Sequence, residues 1–325
     1  MKLEIGIHRW PLREPFTISR ETITTADGVV VALSDGTSVG RGEAYGISYE
    51  GETPEGIVAE LEALRTRIEA GVTRQELQAL LPHGGARCAL DCALWDLDAK
   101  RAGVPVNALA GFPAPKACET AFTIGIRPPD AVRQAARAHA HHALLKLKVN
   151  REDPLALVRA AREGAPDSRF IVDPNQSWTF SDIQQLSPEL AELGVVLLEQ
   201  PLAIGDDEDL DGWSGPVPIC ADELVHDRAD LYRALGKYSH INIKLDKSGG
   251  LTEGLALAHA ALDQGFRLMV GCMAGSSLAM APAHLVAQLC EFVDLDGPLL
   301  QAEDWPTPIT YAEGRILPPP QALWG

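Results

Sequence analysis

The sequence lacks the features that would direct a chain to a membrane or to nucleic acid. No stretch of about 18 or more residues is purely apolar, so no transmembrane helix is predicted. Residues 1–10 lack the apolar block of a signal peptide. Lys and Arg total 28 against 45 Asp and Glu, which gives a formal charge of −17 without any basic run. Because so acidic a chain repels nucleic acid and anionic lipid, we expect neither as a partner.

Paired cysteines are absent as well. The six cysteines include no Cys-x-x-Cys pair, and most of them lie in apolar surroundings. We therefore expect buried free thiols, which suit the reducing conditions of the cytoplasm.

What the chain does have is enough apolar residues, 46% of 325, for one large α/β domain and a smaller one. Residues 1–112 predict a small α+β domain, with strands first and helices after. Ser34–Thr37 contains an Asp-Gly turn signal, and Thr53-Pro54 is typical of a helix start. A second helix is predicted over Arg87–Ala102, closed by Gly103.

From residue 113 to 303, apolar runs of strand length alternate with helical patterns. The runs are Thr120–Ile126, Ala143–Val149, Arg169–Asp173, Gly194–Glu199, Pro218–Asp222, Ile241–Leu245, Arg267–Gly271 and Phe292–Asp296. Such alternation predicts a parallel sheet, and eight units close naturally into a (β/α)8-type barrel. The Pro-rich tail, residues 304–325, is expected to pack back on the first domain.

The chemistry of this predicted barrel lies where its strands end, which is where barrels of this kind carry their sites. Lys146 and Lys148 share one face of a strand, a pattern also typical of an exposed edge strand. The next three apolar runs each end in a carboxylate, and the following run has a lysine one residue before its end. These residues are Asp173, Glu199, Asp222 and Lys244.

Three carboxylates on neighbouring strands form an all-oxygen site, which suits Mg²⁺ better than zinc. The lysines would then lie on opposite sides of the metal. A nearby dication and a second lysine lower the pKa of a lysine, which can then accept a carbon-bound proton. Two such bases facing one carbon would remove a proton on one face and return it on the other, which inverts a stereocentre.

These motifs, together with the small first domain, resemble the enolase superfamily and its muconate-lactonizing-enzyme subgroup. The resemblance rests on Lys146-x-Lys148, Asp173-Pro-Asn175, Glu199-Gln-Pro, Ala-Asp222-Glu223 and Ile-Lys244. It implies a modified (β/α)7β barrel under an N-terminal capping domain. It further implies that Lys148 and Lys244 are the acid/base pair and that Lys146 holds the substrate carboxylate. The three strand-end carboxylates would bind Mg²⁺, with Asn175 as an outer partner and Glu223 hydrogen-bonded to Lys244.

Three activities compete within that subgroup: cycloisomerisation, o-succinylbenzoate synthesis and dipeptide epimerisation. Asp294-Leu-Asp296 resembles the dipeptide epimerases, in which such a pair meets the substrate α-ammonium, although a solvated strand end is the alternative. Arg20 lies where Ala-Glu epimerases have an arginine for the side-chain carboxylate, and Thr123 resembles a substrate contact. The resemblance therefore favours a Mg²⁺-dependent L-Ala-D/L-Glu epimerase.

Two alternatives to this interpretation stay open, namely a synthase or cycloisomerase of the same subgroup and a catalytically silent barrel. A homo-oligomer is expected, since octamers and dimers both occur among similar proteins. Three histidines at a helix end, His139, His141 and His142, are expected to be surface residues or partners of the helix dipole.

Overall fold

The structure is a computed structural model that describes residues 1–325. The chain begins with an antiparallel sheet of three strands, followed by five helices. The strands are β1 (Lys2–Thr17), β2 (Thr22–Ser34) and β3 (Val39–Ala44), and the helices are α1 (Pro54–Ala63), α2 (Arg65–Gly71), α3 (Arg74–Leu80), α4 (Gly85–Ala102) and α5 (Val106–Leu109). The predicted Asp-Gly turn joins β2 to β3, and Gly36 takes a φ of 91° there.

Helix α1 begins as predicted but ends early. The hydroxyl of Thr53 accepts a hydrogen bond from the Gly56 N–H at 3.1 Å. Ile57, Leu61, Leu64 and Ile68 recur at helical spacing, a pattern that predicts one helix through Ile68, and this prediction was wrong. The Leu64 N–H bonds to the Leu61 carbonyl, three residues back, and Leu64 leaves helical geometry with φ −101° and ψ 1°. A second helix, α2, then starts at the next residue.

Helix α4 lies directly against β3, and two glycines make this close approach possible. A Cβ at Gly42 would lie 2.2 Å from the Ala89 carbonyl oxygen, and one at Gly40 would lie 2.2 Å from that of Ala93. Helix α4 ends at Gly103 in the left-handed region, with φ 65°, as predicted.

The middle of the chain forms the predicted parallel barrel. After a two-residue strand, β4 (Cys118–Glu119), the sheet contains β5 (Phe122–Ile124), β6 (Leu144–Lys148), β7 (Arg169–Asp173), β8 (Val195–Glu199), β9 (Ile219–Ala221), β10 (His240–Ile243), β11 (Arg267–Val270) and β12 (Phe292–Val293). These eight strands pair in chain order. The sheet curls until the Ala121 N–H donates to the Val293 carbonyl at 2.8 Å.

Helices follow the barrel strands and cover the outside of the sheet. They are α6 (Pro129–Ala138), α7 (Pro154–Gly164), α8 (Phe180–Glu192), α9 (Leu231–Ala234), α10 (Leu245–Ser248), α11 (Leu251–Asp263), α12 (Ser277–Ala287) and α13 (Gly297–Leu300). None of the helices is long and apolar enough to cross a membrane.

Several strands are shorter than the apolar runs predicted. Strand β10 ends at Ile243, so Lys244 caps helix α10 instead of ending a strand. Strand β12 has two residues, so Asp294 and Asp296 lie in the turn that follows it. The side chains concerned still stand at the carboxyl end of the barrel.

Buried carboxylates join the N-terminal sheet to the barrel. Asp246 accepts hydrogen bonds from the backbone of Tyr45 at 2.5 Å and of Gly46 at 2.8 Å. Glu43 accepts hydrogen bonds from the hydroxyl of Ser276 and, at 3.2 Å, from the indole of Trp305. These bonds hold the loop that follows β3 over the mouth of the barrel.

The tail contacts both parts of the protein. Its strands β13 (Tyr311–Ala312) and β14 (Arg315–Ile316) pair with each other, and β14 also pairs with β4. At its end, the Trp324 indole donates to the Cys92 carbonyl at 3.0 Å, on helix α4. The domain boundaries at residues 112 and 303 stay predictions.

Candidate active site

Three carboxylates stand side by side at the carboxyl end of the barrel. Asp173 ends β7, Glu199 ends the adjacent β8, and Asp222 directly follows β9. Their residues are 0%, 0% and 1% exposed. Glu199 Oε2 and Asp222 Oδ1 accept no hydrogen bond, although a lysine ammonium lies within ion-pair distance of each. Buried carboxylate oxygens without hydrogen bonds fit the oxygen-rich coordination of Mg²⁺.

The turns after these strands hold the carboxylates in place. The Asn175 N–H donates to Asp173 Oδ1 at 2.9 Å, and the Gln200 side-chain oxygen accepts from the Asp222 N–H at 2.9 Å. Both Asn175 and Gln200 have positive φ values, 46° and 34°. Positive φ values cost conformational free energy in residues other than glycine. Such strain clusters at functional sites, where the surrounding structure compensates for it.

Lysines flank the carboxylates, as the strand order predicted. Lys148 donates to Asp173 at 2.5 Å, and Lys244 donates to Asp222 at 2.6 Å. Lys146 lies between them and donates to Glu199 at 2.9 Å. Strand β6 carries Lys148, and Lys244 directly follows strand β10. These two strands lie on either side of β7, β8 and β9, where the three carboxylates are.

Burial and the charged neighbours shift the pKa values strongly. Burial raises the pKa of Glu199 to about 8, whereas Lys148 and Lys146 outweigh burial at Asp173 and lower its pKa to about 2. Burial opposes the charge of Lys244, but Asp222 and Glu199 outweigh it, so the pKa of Lys244 is raised. Carboxylate charge thus dominates the field at Lys244, and the lowered lysine pKa that a nearby dication would cause stays a prediction.

A second carboxylate pair lies beside these lysines, in the turn after β12. Lys146 donates to Asp294 Oδ2 at 2.9 Å, so this pair is continuous with the first set. Thr123 holds both members: its hydroxyl bonds to Asp294 at 3.1 Å, and its N–H donates to Asp296 at 2.6 Å. Burial and the neighbouring Asp294 raise the pKa of Asp296 to about 7. Two buried like charges favour a cation between or beside them.

Arg20, on the turn between β1 and β2, reaches the barrel mouth. Its guanidinium lies 2.9 Å from Glu223 Oε1 and 4.9 Å from the centre of the Tyr49 ring. The hydrogen bond expected between Glu223 and Lys244 is absent, because Lys244 donates to Asp222 instead. Glu223 thus faces Arg20 from the barrel side.

Three residues of the site were missed by sequence reasoning. Lys247 is fully buried and donates to the carbonyl of Asp222, while its ammonium lies 2.8 Å from Asp222 Oδ1. Asn242 donates to Glu199 at 3.0 Å, and Tyr49 lines the cavity beside Arg20. The available signal was the position of Lys247 one helical turn after Lys244.

A cavity of about 170 Å³ lies over these groups. Of the predicted residues, its lining includes Arg20, Thr123, Lys146, Lys148, Asn175, Lys244, Asp294 and Asp296. The other four lie behind this lining: Asp173, Glu199, Asp222 and Glu223. The network joins six carboxyl groups to five cations, Arg20 and four lysines, and the raised pKa values of Glu199 and Asp296 mean that an added cation would favour their ionised forms. Such an arrangement can accommodate an added cation.

The chain belongs to the enolase superfamily. The mandelate racemase / muconate lactonizing enzyme N-terminal domain matches residues 2–111, and the enolase C-terminal domain-like family matches residues 130–322.

Two similar proteins and one similar crystal structure indicate which activities occur among relatives of this chain. The chain is 41% identical to the L-Ala-D/L-Glu epimerase of Escherichia coli K12, over 94% of this chain and 96% of that protein. It is 42% identical to an N-acetyl-D-glutamate racemase of a Pseudoalteromonas species, over 91% and 95% respectively. A crystal structure from Agrobacterium tumefaciens, an enolase family member with homology to dipeptide epimerases, holds sodium and L-Ala-L-Glu. It matches with a TM-score of 0.96 and 44% identity, over 99% of each chain.

Proposed function

We propose that the protein is a Mg²⁺-dependent dipeptide epimerase that inverts the α-carbon of the C-terminal residue, with L-Ala-D-Glu and L-Ala-L-Glu as its substrates. One observation carries this proposal. The buried pair Asp294 and Asp296 lies beside the lysines at the barrel mouth, where a dipeptide has its positive charge. A substrate without an ammonium group would leave these carboxylates unmatched.

The cavity lining suggests how each end of such a dipeptide is held. Asp294 and Asp296 would pair with the N-terminal ammonium, and the N–H and hydroxyl of Thr123 would keep both carboxylates oriented. Arg20 would exchange its contact with Glu223 for the γ-carboxylate of glutamate, since a guanidinium binds carboxylates well. Lys146 would bind the α-carboxylate.

Mg²⁺, held by Asp173, Glu199 and Asp222, would supply positive charge that stabilises the substrate carboxylate when its α-carbon loses a proton. Lys148 and Lys244 would do the proton transfer. One of them in its neutral form takes the α-proton, and the other in its charged form returns a proton to the opposite face. The enantiomer bound decides which lysine is the base, because its α-proton points to one of the two.

N-acetylglutamate is the second candidate substrate, because one relative is named for that activity. It shares the acylated glutamate of L-Ala-Glu but lacks the ammonium group and the methyl side chain of the alanine. A charge-assisted hydrogen bond contributes about 1.5–3 kcal/mol, so kcat/KM should favour the dipeptide by roughly 10- to 150-fold. The test is kcat/KM for L-Ala-L-Glu and N-acetyl-L-glutamate on one enzyme preparation. Equal values would overturn the dipeptide assignment.

The synthase and cycloisomerase alternatives are tested by Asp294→Asn. Muconate and succinylbenzoate substrates carry no ammonium, so a synthase would keep its activity in this variant, whereas epimerase activity should collapse.

We also propose that the enzyme works in the cytoplasm as a homo-oligomer. Light scattering on the purified protein would measure its assembly, and a monomer at micromolar concentration would contradict this.

A further inference from the structure

Three histidines come together on one turn at the end of helix α6. His139 is the residue after the helix, and the His142 N–H donates to the His139 carbonyl at 2.9 Å, which closes the turn. The turn brings ring nitrogens of His139, His141 and His142 within 4.8 Å of one another. His142 is 4% exposed. A buried imidazole is not the exposed, charged partner of the helix dipole that the sequence suggested.

The relative orientation of the rings fits ligation of one metal ion. Around tetrahedral zinc, with Zn–N about 2.0–2.1 Å, imidazole centroids lie roughly 5–5.5 Å apart. The three centroid distances here are 4.5, 6.0 and 6.0 Å, and the ring planes meet at 38° to 58°. Because the planes are not parallel, the in-plane lone pairs can point at a common ion, and His141 is exposed, so its ring can rotate to complete the geometry.

The buried histidine already has the outer partner that zinc-binding histidines usually have. His142 Nδ1 lies 3.3 Å from the Thr120 carbonyl oxygen. Since a carbonyl only accepts, Nδ1 carries the proton in this bond, and Nε2 keeps its lone pair for a metal.

The second histidine is fixed by stacking and is neutral near pH 7. The ring of His139 stacks on Phe122 at 3.5 Å between centroids, with an angle of 11°. Burial, together with His142 and His141, lowers the pKa of His139 to about 4. Burial also lowers the pKa of His142. Neutral imidazoles are the form that binds metals.

We propose that His139, His141 and His142 bind one Zn²⁺ ion, at a site separate from the carboxylate site. The fourth coordination position would open to a cavity of about 650 Å³, which all three histidines line. Phe16, Thr123 and Leu300 line both this cavity and the active-site cavity. The bound ion would fix the turn at the end of α6, where the ring of His139 stacks on Phe122 of strand β5.

A second cluster, Glu50, His83 and His226, also brings ligand atoms within 4.8 Å. Its two imidazoles are stacked, with centroids 4.8 Å apart and planes only 15° from parallel. Lone pairs lie in the ring plane, so two nearly parallel stacked rings do not point at a common ion. This cluster provides a matched control.

The test uses the full chain without a polyhistidine tag, saturated with Mg²⁺ so that the carboxylate site does not take up zinc. Zinc binding is followed by isothermal titration, and melting temperature is recorded with and without Zn²⁺. We expect one Zn²⁺ per chain and an upward shift in melting temperature of about 2 °C or more. His141→Ala, at an exposed position, should weaken binding at least about tenfold, since even outer partners of metal ligands cost 10- to 100-fold.

His83→Ala should leave both the stoichiometry and the shift unchanged. Cobalt substituted for zinc gives an independent readout, because its visible spectrum reports imidazole ligation and should disappear in His141→Ala. The proposal is overturned if Mg²⁺-saturated protein binds no zinc, if His141→Ala binds it as tightly as the parent chain, or if His83→Ala alone removes it.

Discussion

Asp296→Asn isolates the ammonium-binding role proposed for the second carboxylate pair. Asp296 is the better of the two positions, because Asp294 also holds Lys146, whereas the hydrogen-bond partner of Asp296 is the Thr123 N–H. Asparagine keeps an oxygen that can accept this hydrogen bond at 2.6 Å, so the variant removes charge with little change in shape.

The expected loss follows from the burial of this residue, which is 2% exposed. A charge-assisted hydrogen bond to an ammonium contributes about 1.5–3 kcal/mol, which corresponds to roughly a 10- to 150-fold lower kcat/KM for L-Ala-L-Glu. N-acetyl-L-glutamate has no ammonium, so its kcat/KM should stay the same in the variant. It should rise if the charge of Asp296 repels this anionic substrate in the parent enzyme. The two rates are measured by circular dichroism or polarimetry on the same preparation.

The pH dependence gives a second readout of the same group. Burial and Asp294 raise the pKa of Asp296 to about 7, so below pH 7 its carboxyl is protonated and binds an ammonium weakly. The ratio of kcat/KM for dipeptide to that for N-acetyl-L-glutamate should therefore rise through pH 7. It should fall again near pH 8, where a dipeptide loses its α-amino proton at a pKa of about 7.7–8.0. In the Asp296→Asn variant, the rise of this ratio through pH 7 should disappear. An equal loss for both substrates, or an unchanged ratio across pH, would refute the reasoning.

Four further predictions concern other parts of the structure. Lys148→Ala and Lys244→Ala should each abolish epimerisation. Each variant should still exchange the α-proton of one diastereomer with solvent, a different diastereomer for each variant. Mass spectrometry in heavy water measures this exchange, and exchange of both diastereomers by one variant would contradict the prediction. Asp222→Asn should weaken Mg²⁺ binding at least about tenfold in titration calorimetry, since it removes one of three proposed ligands. Arg20→Met should lower kcat/KM for L-Ala-L-Glu at least about tenfold but spare L-Ala-L-Met, because only the former offers a γ-carboxylate to the guanidinium. Gly42→Ala should destabilise the fold by about 1–3 kcal/mol or more, visible as a lower melting temperature, because a Cβ would meet helix backbone at 2.2 Å.

Local pattern was sufficient for much of the fold. Strand β7 spans Arg169–Asp173, the same residues as its apolar run, and the Asp-Gly turn and the Thr53 cap also follow from a few adjacent residues. Strand ends were less predictable where an apolar residue continues past the hydrogen-bonded ladder. Leu245 belongs to the apolar run of β10 but begins helix α10. Pairing with the neighbouring strand, which sequence does not display, decides where the ladder stops.

The site was predictable to the extent that strand ends converge in a barrel. The three carboxylates and the flanking lysines follow from that rule alone. Contacts between distant loops do not: the ion pair of Arg20 with Glu223 joins residues about 200 positions apart along the chain. The same is true of Lys247, whose role depends on the folded position of Asp222. The raised pKa of Lys244 depends on the summed charge of several carboxylates, which no single motif encodes.

Proton exchange at the α-carbon of a dipeptide is the reaction proposed for this protein. Proton NMR in heavy water measures that exchange directly, as loss of the α-proton signal. With Mg²⁺ and L-Ala-L-Glu, the account predicts loss of the glutamate α-proton signal together with appearance of the L-Ala-D-Glu diastereomer. The alanine α-proton should persist, because in the proposed binding mode only the C-terminal residue would lie between Lys148 and Lys244. Retention of the glutamate α-proton in every dipeptide tried, with Mg²⁺ bound, would contradict the account and favour a synthase or a silent barrel.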